Sequence, residues 1–335
     1  MTAVASRRST TPSFRRTVPL FPVRVSGVGA AVPSRRVTNH DLAVHLATTD
    51  AWIVGRTGIR SRRVAGPNES TTSLATAAAT AALADAGLPP SAVDLTVVAT
   101  ATPDSACPAT ASRVAAALGT RSGGYDVNGA CCGFVHALHG AAALLADPAL
   151  ATILVIGADR FTTLVDPTDR TTAVLFGDGA GAVVLRRSEA VPASPGILGS
   201  DLGGDPSALD ILQLVPGTSF LTMDGPELFR RATRGLVSSA SSALARAGFQ
   251  AAEVDVFVPH QANARIIGAS ADRLRIPMEK VVIDVAERAN TSAASIPLAL
   301  QAARLDGRIV DGSHVLLSGI GAGLDWASLL LRWAR

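Results

Sequence analysis

"ALADAGLPPSAVDLTVVAT", residues 82–100, meets a near copy in "ALARAGFQAAEVDVFVPHQ", residues 243–261, without a gap and at an offset of 161 residues. Ala, Leu, Ala, Ala, Gly, Val and Asp recur in register. Each copy reads as an Ala-rich helix, a glycine able to stop it in the left-handed conformation, a short loop and a buried strand. A second pair agrees, since "GDGAGAVVL" (177–185) and "GIGAGLDWASLLL" (319–331) both carry Gly-x-Gly-Ala-Gly before a strand. The chain reads as a duplication. Around these segments, 94–100, 151–159 and 180–186 are apolar runs of strand length separated by helical stretches, the pattern of an α/β fold. Two similar halves, 21–187 and 188–335, packed together predict a five-layer αβαβα sandwich. Neither glycine run is a dinucleotide fingerprint, because that motif follows a strand and opens a helix, whereas these runs precede strands. Tight turns and close backbone approach explain Gly177–Gly181; at Gly319–Gly323 the turn also offers free backbone N–H groups.

Composition narrows the class. A chain of 335 residues that is 48% hydrophobic and 17% charged can bury a large core in one or two domains. Three cysteines make no even disulfide set, and no second Cys/His cluster stands at zinc spacing, so a reducing cytoplasm is expected and a metal site is not. No apolar run is long enough to span a bilayer, and no signal-peptide core opens the chain. Residues 1–20 carry four arginines and no acid, a composition open to a transit peptide or an RNA-binding arm but read here as a disordered tail. A net charge of +3, with no basic run interleaved with aromatics, points away from nucleic acid.

The reactive chemistry centres on "GGYDVNGACCGFVHALHG" (123–140), a strand-like lead into an amphipathic helix with Cys131 and Cys132 at the junction. A thiol there faces unpaired N–H groups and the positive end of the helix dipole, which lowers its pKa. The segment alone fits two small buried residues equally well. Two distant stretches tip the reading: "VDVFVPHQAN" (254–263) ends a strand on His260, and "RANTSAAS" (288–295) sets Asn290 in a polar loop before a further helix. A cysteine with His and Asn partners remote in sequence is a common catalytic pattern.

With six spaced motifs in order, "DAWIVGRTGIRSRRV", "GACCGF", "DPTDRTTAVLFGDGAGAVVL", "VPHQAN", "NTSAAS" and "GAGLDWAS", the chain from about Phe21 to Arg335 resembles β-ketoacyl-acyl carrier protein synthase III, a thiolase-fold condensing enzyme. The resemblance implies a homodimer that uses acyl-CoA and acyl carrier protein and no bound cofactor, with coenzyme A entering as a thioester substrate. It implies Cys131 as the nucleophile, His260 and Asn290 as hydrogen-bond donors to a malonyl thioester, and backbone N–H groups of Cys131 and Ala322 as oxyanion donors. It also implies Trp52 and Arg56 at the adenine, Arg170 and Arg265 near the phosphates, and Phe229 along the pantetheine tunnel. Planar guanidinium forks suit phosphates, and an indole face suits a purine. The implied reaction is a decarboxylative Claisen condensation through an acyl-cysteine, starting fatty-acid or polyketide chains.

Three positions depart from the family pattern. Ala322 stands where glycine is usual, at a cost of about 1 kcal/mol if that residue needs positive φ. Ala289 replaces the glycine before Asn290, and Pro226 replaces a common polar residue near the pantetheine; such drift predicts a specialised relative. Two alternatives stay open: an acyltransferase of the same fold that delivers to a hydroxyl, amine or carrier without decarboxylation, and an acyl-binding partner without turnover. Cys107, in "ATPDSACPATASRVAAALG" (101–119), falls by resemblance where the partner subunit closes the acyl pocket. Family members restricted to small primers often carry an aromatic there, so a thiol predicts room for chains longer than acetyl, unless Phe134 or Leu164 refills the space.

Overall fold

The computed structural model describes residues 18–335. The predicted tail therefore lies, up to residue 17, outside the described residues; Pro19 is already buried, packed against Gly196. The first half runs β1 (Val23–Ala31), then β2 (Arg36–Thr38) and β3 (Ser61–Arg63) with α1 (Asn39–Ala43) and α2 (Asp50–Thr57) between them. It continues through α3 (Thr71–Ala86), β4 (Leu95–Ala99), α4 (Thr110–Leu118), β5 (Gly123–Val127), α5 (Gly133–Leu144), β6 (Thr152–Arg160) and β7 (Asp178–Arg187). The second half runs β8 (Gly196–Gly204), the short pair β9 (Leu212–Leu214) and β10 (Leu221–Met223), and α6 (Gly225–Ala247). It closes with β11 (Val256–Pro259), α7 (Ala264–Leu274), α8 (Val285–Arg288), α9 (Ser295–Leu305), β12 (His314–Gly321) and β13 (Asp325–Arg332).

The strand orders show the duplication in three dimensions. One sheet reads β5-β4-β6-β7-β1 and the other β11-β12-β13-β8. β4 lies parallel to β6 as β11 does to β12, and the next two pairings are antiparallel in both sheets. A single parallel bridge, Phe257 to Val281, stands in the second half where β5 stands in the first. The sequence repeat sets the packing. α3 and α6 end on Gly87 (φ 65°) and Gly248 (φ 72°), each in the left-handed region that glycine enters without strain. Their last turns lie against glycines of β1 and β8: a Cβ on Gly27 would sit 2.3 Å from the Ala82 carbonyl oxygen, and one on Gly199 2.4 Å from that of Ala243. The same helix-on-glycine contact is made twice, by the two copies of one segment.

α5 and α9 each touch both sheets and form the middle layer, with α3 and α4 outside the first sheet and α6 and α7 outside the second. The architecture is the predicted five-layer sandwich. Its central core joins Phe134, Leu138, Ile296 and Leu300 to Val155, Val183, Leu317 and Leu329 of the sheets. Because both sheets are covered on both faces, their strands read as continuous apolar runs instead of alternating. Gly179 and Gly181 lie within β7 and not in a turn; a Cβ on Gly181 would come within 2.7 Å of Pro297. Among the described residues no helix is long and apolar enough to cross a membrane.

Candidate active site

The ends of β5, β11 and β12 converge between the halves, where a cleft of about 1010 Å³ opens. Cys131, His260 and Asn290 line it, as do Trp52, Arg56, Arg170, Phe229 and Arg265. Eight of the residues singled out from sequence thus meet in one cavity.

After β5 the chain turns through Ala130, held at φ 44°, into a single 3-10 turn, Ala130–Cys132, that leads directly into α5. Cys131 faces the cleft. Cys132 points away, fully buried, its Sγ donating to the Gly129 carbonyl at 3.0 Å. Glycine is required opposite: a Cβ on Gly319 would lie 3.0 Å from Cys132, and one on Gly321 2.8 Å from the Cys131 nitrogen. The expected lowering of the thiol pKa does not hold in the resting site. Burial pushes Cys131 up to about 12, outweighing the side chains of Ser292 and Asn290 that pull it down, and the nearby Asp159 charge adds to the rise. Cys131 rests as a neutral thiol.

His260 follows β11 directly, and its N–H donates to the Ser318 carbonyl at 2.8 Å. Its Nδ1 lies 2.6 Å from the Ser295 Oγ, and burial lowers its pKa to about 3, so the ring is neutral. The adjoining Gln261 is pinned on both sides, donating to the Pro259 and Val282 carbonyls and accepting from the Asp284 and Val285 N–H groups. Asn290 is fixed by its own N–H to the Leu175 carbonyl and by its Oδ1, which accepts from Ser292 N–H at 2.9 Å. With Oδ1 engaged, the group Asn290 keeps for a ligand is its NH₂ donor.

The departures resolve unevenly. Ala322 is not among the positive-φ residues; the strained conformation falls on Gly323 (φ 139°), so the alanine carries no such penalty. It packs against the buried cluster of Phe161, Val165, Phe176, Leu212 and Leu221, while Ile320, Gly321 and Leu324 form that wall of the cleft. Ala289 carries the strain instead, at φ 58° and ψ −161°. Pro226 sits in the first turn of α6, capped by Asp224, where a missing N–H costs nothing.

At the mouth, the guanidinium carbons of Arg56 and Arg170 lie 4.8 and 5.1 Å from the Trp52 ring centroid, and that of Arg265 lies 5.6 Å from Phe229. Cys107 stands apart, exposed on the loop between β4 and α4, and does not line the cleft of its own chain. Sequence reading missed Asp159, Ser292 and Ser295. Asp159, wholly buried at the end of β6, accepts through Oδ1 from Thr100, Ala101 and Thr102 and through Oδ2 from Ala293 N–H at 3.0 Å. It ties the loop after β4 to the Asn290 loop. The signal was an acid closing the apolar run "ILVIGAD".

A duplicated five-layer fold with a buried cysteine at a strand-to-helix turn defines the thiolase-like condensing class. Residues 125–206 match the family described as 3-oxoacyl-[acyl-carrier-protein (ACP)] synthase III, and residues 244–333 match its C-terminal part. The beta-ketoacyl-[acyl-carrier-protein] synthase III of Paramagnetospirillum magneticum is 48% identical over 92% of this chain and 98% of its own length. That of Rhizobium meliloti is also 48% identical, with the same coverage. The Aquifex aeolicus 3-oxoacyl-[acyl-carrier-protein] synthase III structure superposes with a TM-score of 0.90 at 41% identity, covering 93% of this chain and all of that one. The priming β-ketosynthase of the R1128 polyketide pathway gives 0.88 at 38% identity, covering 96% of this chain and 99% of that one. The chain belongs to the 3-oxoacyl-[acyl-carrier-protein] synthase III family.

Proposed function

We propose that the protein primes carbon chains by condensing an acyl group taken from acyl-CoA with a malonyl unit on acyl carrier protein. The observation that carries this is the convergence of Cys131, His260 and Asn290 in one cleft whose mouth bears Trp52, Arg56, Arg170 and Arg265. Coenzyme A fits that mouth chemically, with a purine for the indole, phosphates for the guanidinium forks and a thin pantetheine arm past Phe229. A stacked purine would displace one of the two guanidinium groups now lying over Trp52.

In the first half-reaction the Cys131 sulfur attacks the thioester carbon, the thiol proton passes to the departing coenzyme A sulfur, and an acyl-cysteine remains. The carbonyl oxygen is held by backbone N–H groups at Cys131 and the Ala322 turn. In the second, the malonyl thioester loses carbon dioxide, and its electron pair becomes an enolate whose oxygen receives hydrogen bonds from His260 and Asn290. The enolate carbon attacks the acyl-cysteine carbon, the carbon–sulfur bond breaks to release the β-ketoacyl product, and the Cys131 thiolate takes a proton from water to return to the thiol. A neutral ring suits His260, since it stabilises the oxygen by donation and transfers no proton. Phe176, Leu212, Met223 and Leu228 give the acyl group an apolar wall. A homodimer in the cytoplasm completes the reading. β5 is a sheet edge with Tyr125 39% exposed, a template for pairing with a second copy, whose Cys107 then closes the acyl pocket at a depth that suits chains longer than acetyl.

The test uses intact mass and carbon dioxide release. Acyl-CoA is expected to acylate wild type and Cys132→Ser but not Cys131→Ser. Labelled malonyl-acyl carrier protein is then expected to yield labelled carbon dioxide and a β-keto product. Acyl delivery to an alcohol or amine without carbon dioxide would replace this reading with plain acyl transfer.

A further inference from the structure

We propose that Ser295 is a positioning residue that fixes the tautomer of His260, placing the ring proton on Nε2. The inference rests on the condensation reading above and adds a residue to it.

Ser295 opens α9 and is 1% exposed, so its hydroxyl must find partners inside the protein. Two polar groups reach its Oγ: His260 Nδ1 at 2.6 Å and Gln261 N–H at 3.4 Å. A backbone N–H can only donate, so the serine oxygen accepts there. Among the described residues no carbonyl or carboxylate accepts from this hydroxyl, which leaves Nδ1 as the acceptor for its one proton. A neutral imidazole that accepts at Nδ1 carries its proton at Nε2. The backbone on both sides holds this arrangement, since the His260 N–H is bound to Ser318 and Gln261 is pinned at four points.

The consequence is chemical. With the proton on Nε2, His260 joins the Asn290 NH₂ as a second donor to the oxygen that becomes negative during decarboxylation. The other tautomer would present a lone pair to that oxygen. Ser295 therefore serves the second half-reaction and not the first, because Cys131 acylation asks no donor of His260.

The experiment follows both half-reactions in Ser295→Ala and Ser295→Thr beside wild type, together with ¹⁵N-histidine NMR in which His260→Asn assigns the ring signals. The wild-type ring is expected to show a protonated Nε2 and an unprotonated Nδ1, and Ser295→Ala a mixture. Acylation by acyl-CoA is expected to stay within about twofold in Ser295→Ala, while carbon dioxide release falls about 100-fold with little change in KM for malonyl-acyl carrier protein. Ser295→Thr, which keeps the hydroxyl, is expected to recover most of that loss. A protonated Nδ1 in wild type would overturn the proposal, as would wild-type decarboxylation by Ser295→Ala or an equal fall in both half-reactions. If wild type itself acylates but releases no carbon dioxide, the condensation reading fails, while the NMR arm still decides the tautomer.

Discussion

Three of the five non-glycine residues with positive φ among the described residues stand beside the reactive groups: Ala130 (φ 44°) before Cys131, and Ala289 (φ 58°) and Ser292 (φ 51°) around Asn290. Such conformations cost about 1–3 kcal/mol each and persist where surrounding structure over-determines them. Gly321 shows how: the β12 backbone lies so close to the Cys131 nitrogen that the cysteine turn has no room to relax. Ala289 is the informative case, because its ψ of −161° at positive φ belongs to the region occupied almost solely by glycine. Ala289→Gly is expected to stabilise the protein by about 1 kcal/mol after the entropy glycine adds to the unfolded chain. Ala322→Gly is expected to gain nothing. Thermal melts of the two variants measure the difference, and a gain at 322 without one at 289 would reverse the assignment of strain.

At the scale of elements, the cleft mouth depends on where α2 meets α7. Thr49 caps α2 by accepting from Trp52 N–H, which sets Trp52 in the first turn and Arg56 one turn later on the same face. α2 ends on Gly58 (φ 77°), where a Cβ would fall 2.5 Å from the Ala264 side chain, so the helix can approach the start of α7 and bring Arg265 to the same opening. On the proposed function, a mouth built this way would bind substrate without touching the reacting atoms. Trp52→Ala is expected to raise KM for acyl-CoA about tenfold, the loss of one base-stacking contact, with kcat nearly unchanged. Acylation kinetics across acyl-CoA concentration give both numbers. A fall in kcat at unchanged KM would remove Trp52 from coenzyme A binding.

For the whole molecule, the site lies at the seam of two halves, so its ionisable groups are buried by folding itself. His260 is held near 3 when folded against an ordinary value of 6.5. Below pH 6.5 the unfolded chain gains a proton that the folded chain refuses, so stability falls as pH drops from 6.5 toward 3, at up to about 1.4 kcal/mol per pH unit. Cys131 acts at the other end. Its ordinary value of 9.0 is raised to about 12, so above pH 9 the unfolded chain loses a proton that the folded chain keeps, and stability falls as pH rises. Urea midpoints across pH are expected to be highest between about 6.5 and 9. His260→Asn is expected to make the acid limb shallower and Cys131→Ser the alkaline limb, each short of abolishing it, because burial also lowers His136, His139 and His314 and raises Cys132; an acid limb unchanged in His260→Asn would contradict the burial assigned to that ring.

Sequence by itself determined the duplication, and with it the layers. Helix stops at Gly87 and Gly248 and two-sided apolar strands are local instructions, and their repetition at one offset states that the halves fold alike. It also singled out the adjacent Cys131 and Cys132, His260 and Asn290, because reactive side chains at strand ends stand out against apolar surroundings; the choice of Cys131 over Cys132 came from the family resemblance. Only the tertiary structure decided what those groups are like. The helix N-terminus argues for a lowered thiol pKa, but the depth at which β12 and the Asn290 loop bury Cys131 reverses the sign, and depth is a property of segments about 160 to 190 residues away in the chain. Strain passed from Ala322 to Ala289 for the same reason: a φ angle is set by what the backbone must reach, which the residue type does not record. Ser295 was silent in sequence as an ordinary serine, and Asp159 showed only as an acid closing an apolar run, with nothing to name its partner. Their partners, Ala293 and His260, come within hydrogen-bonding distance only when the chain folds, because desolvation at the seam makes every buried polar group find one.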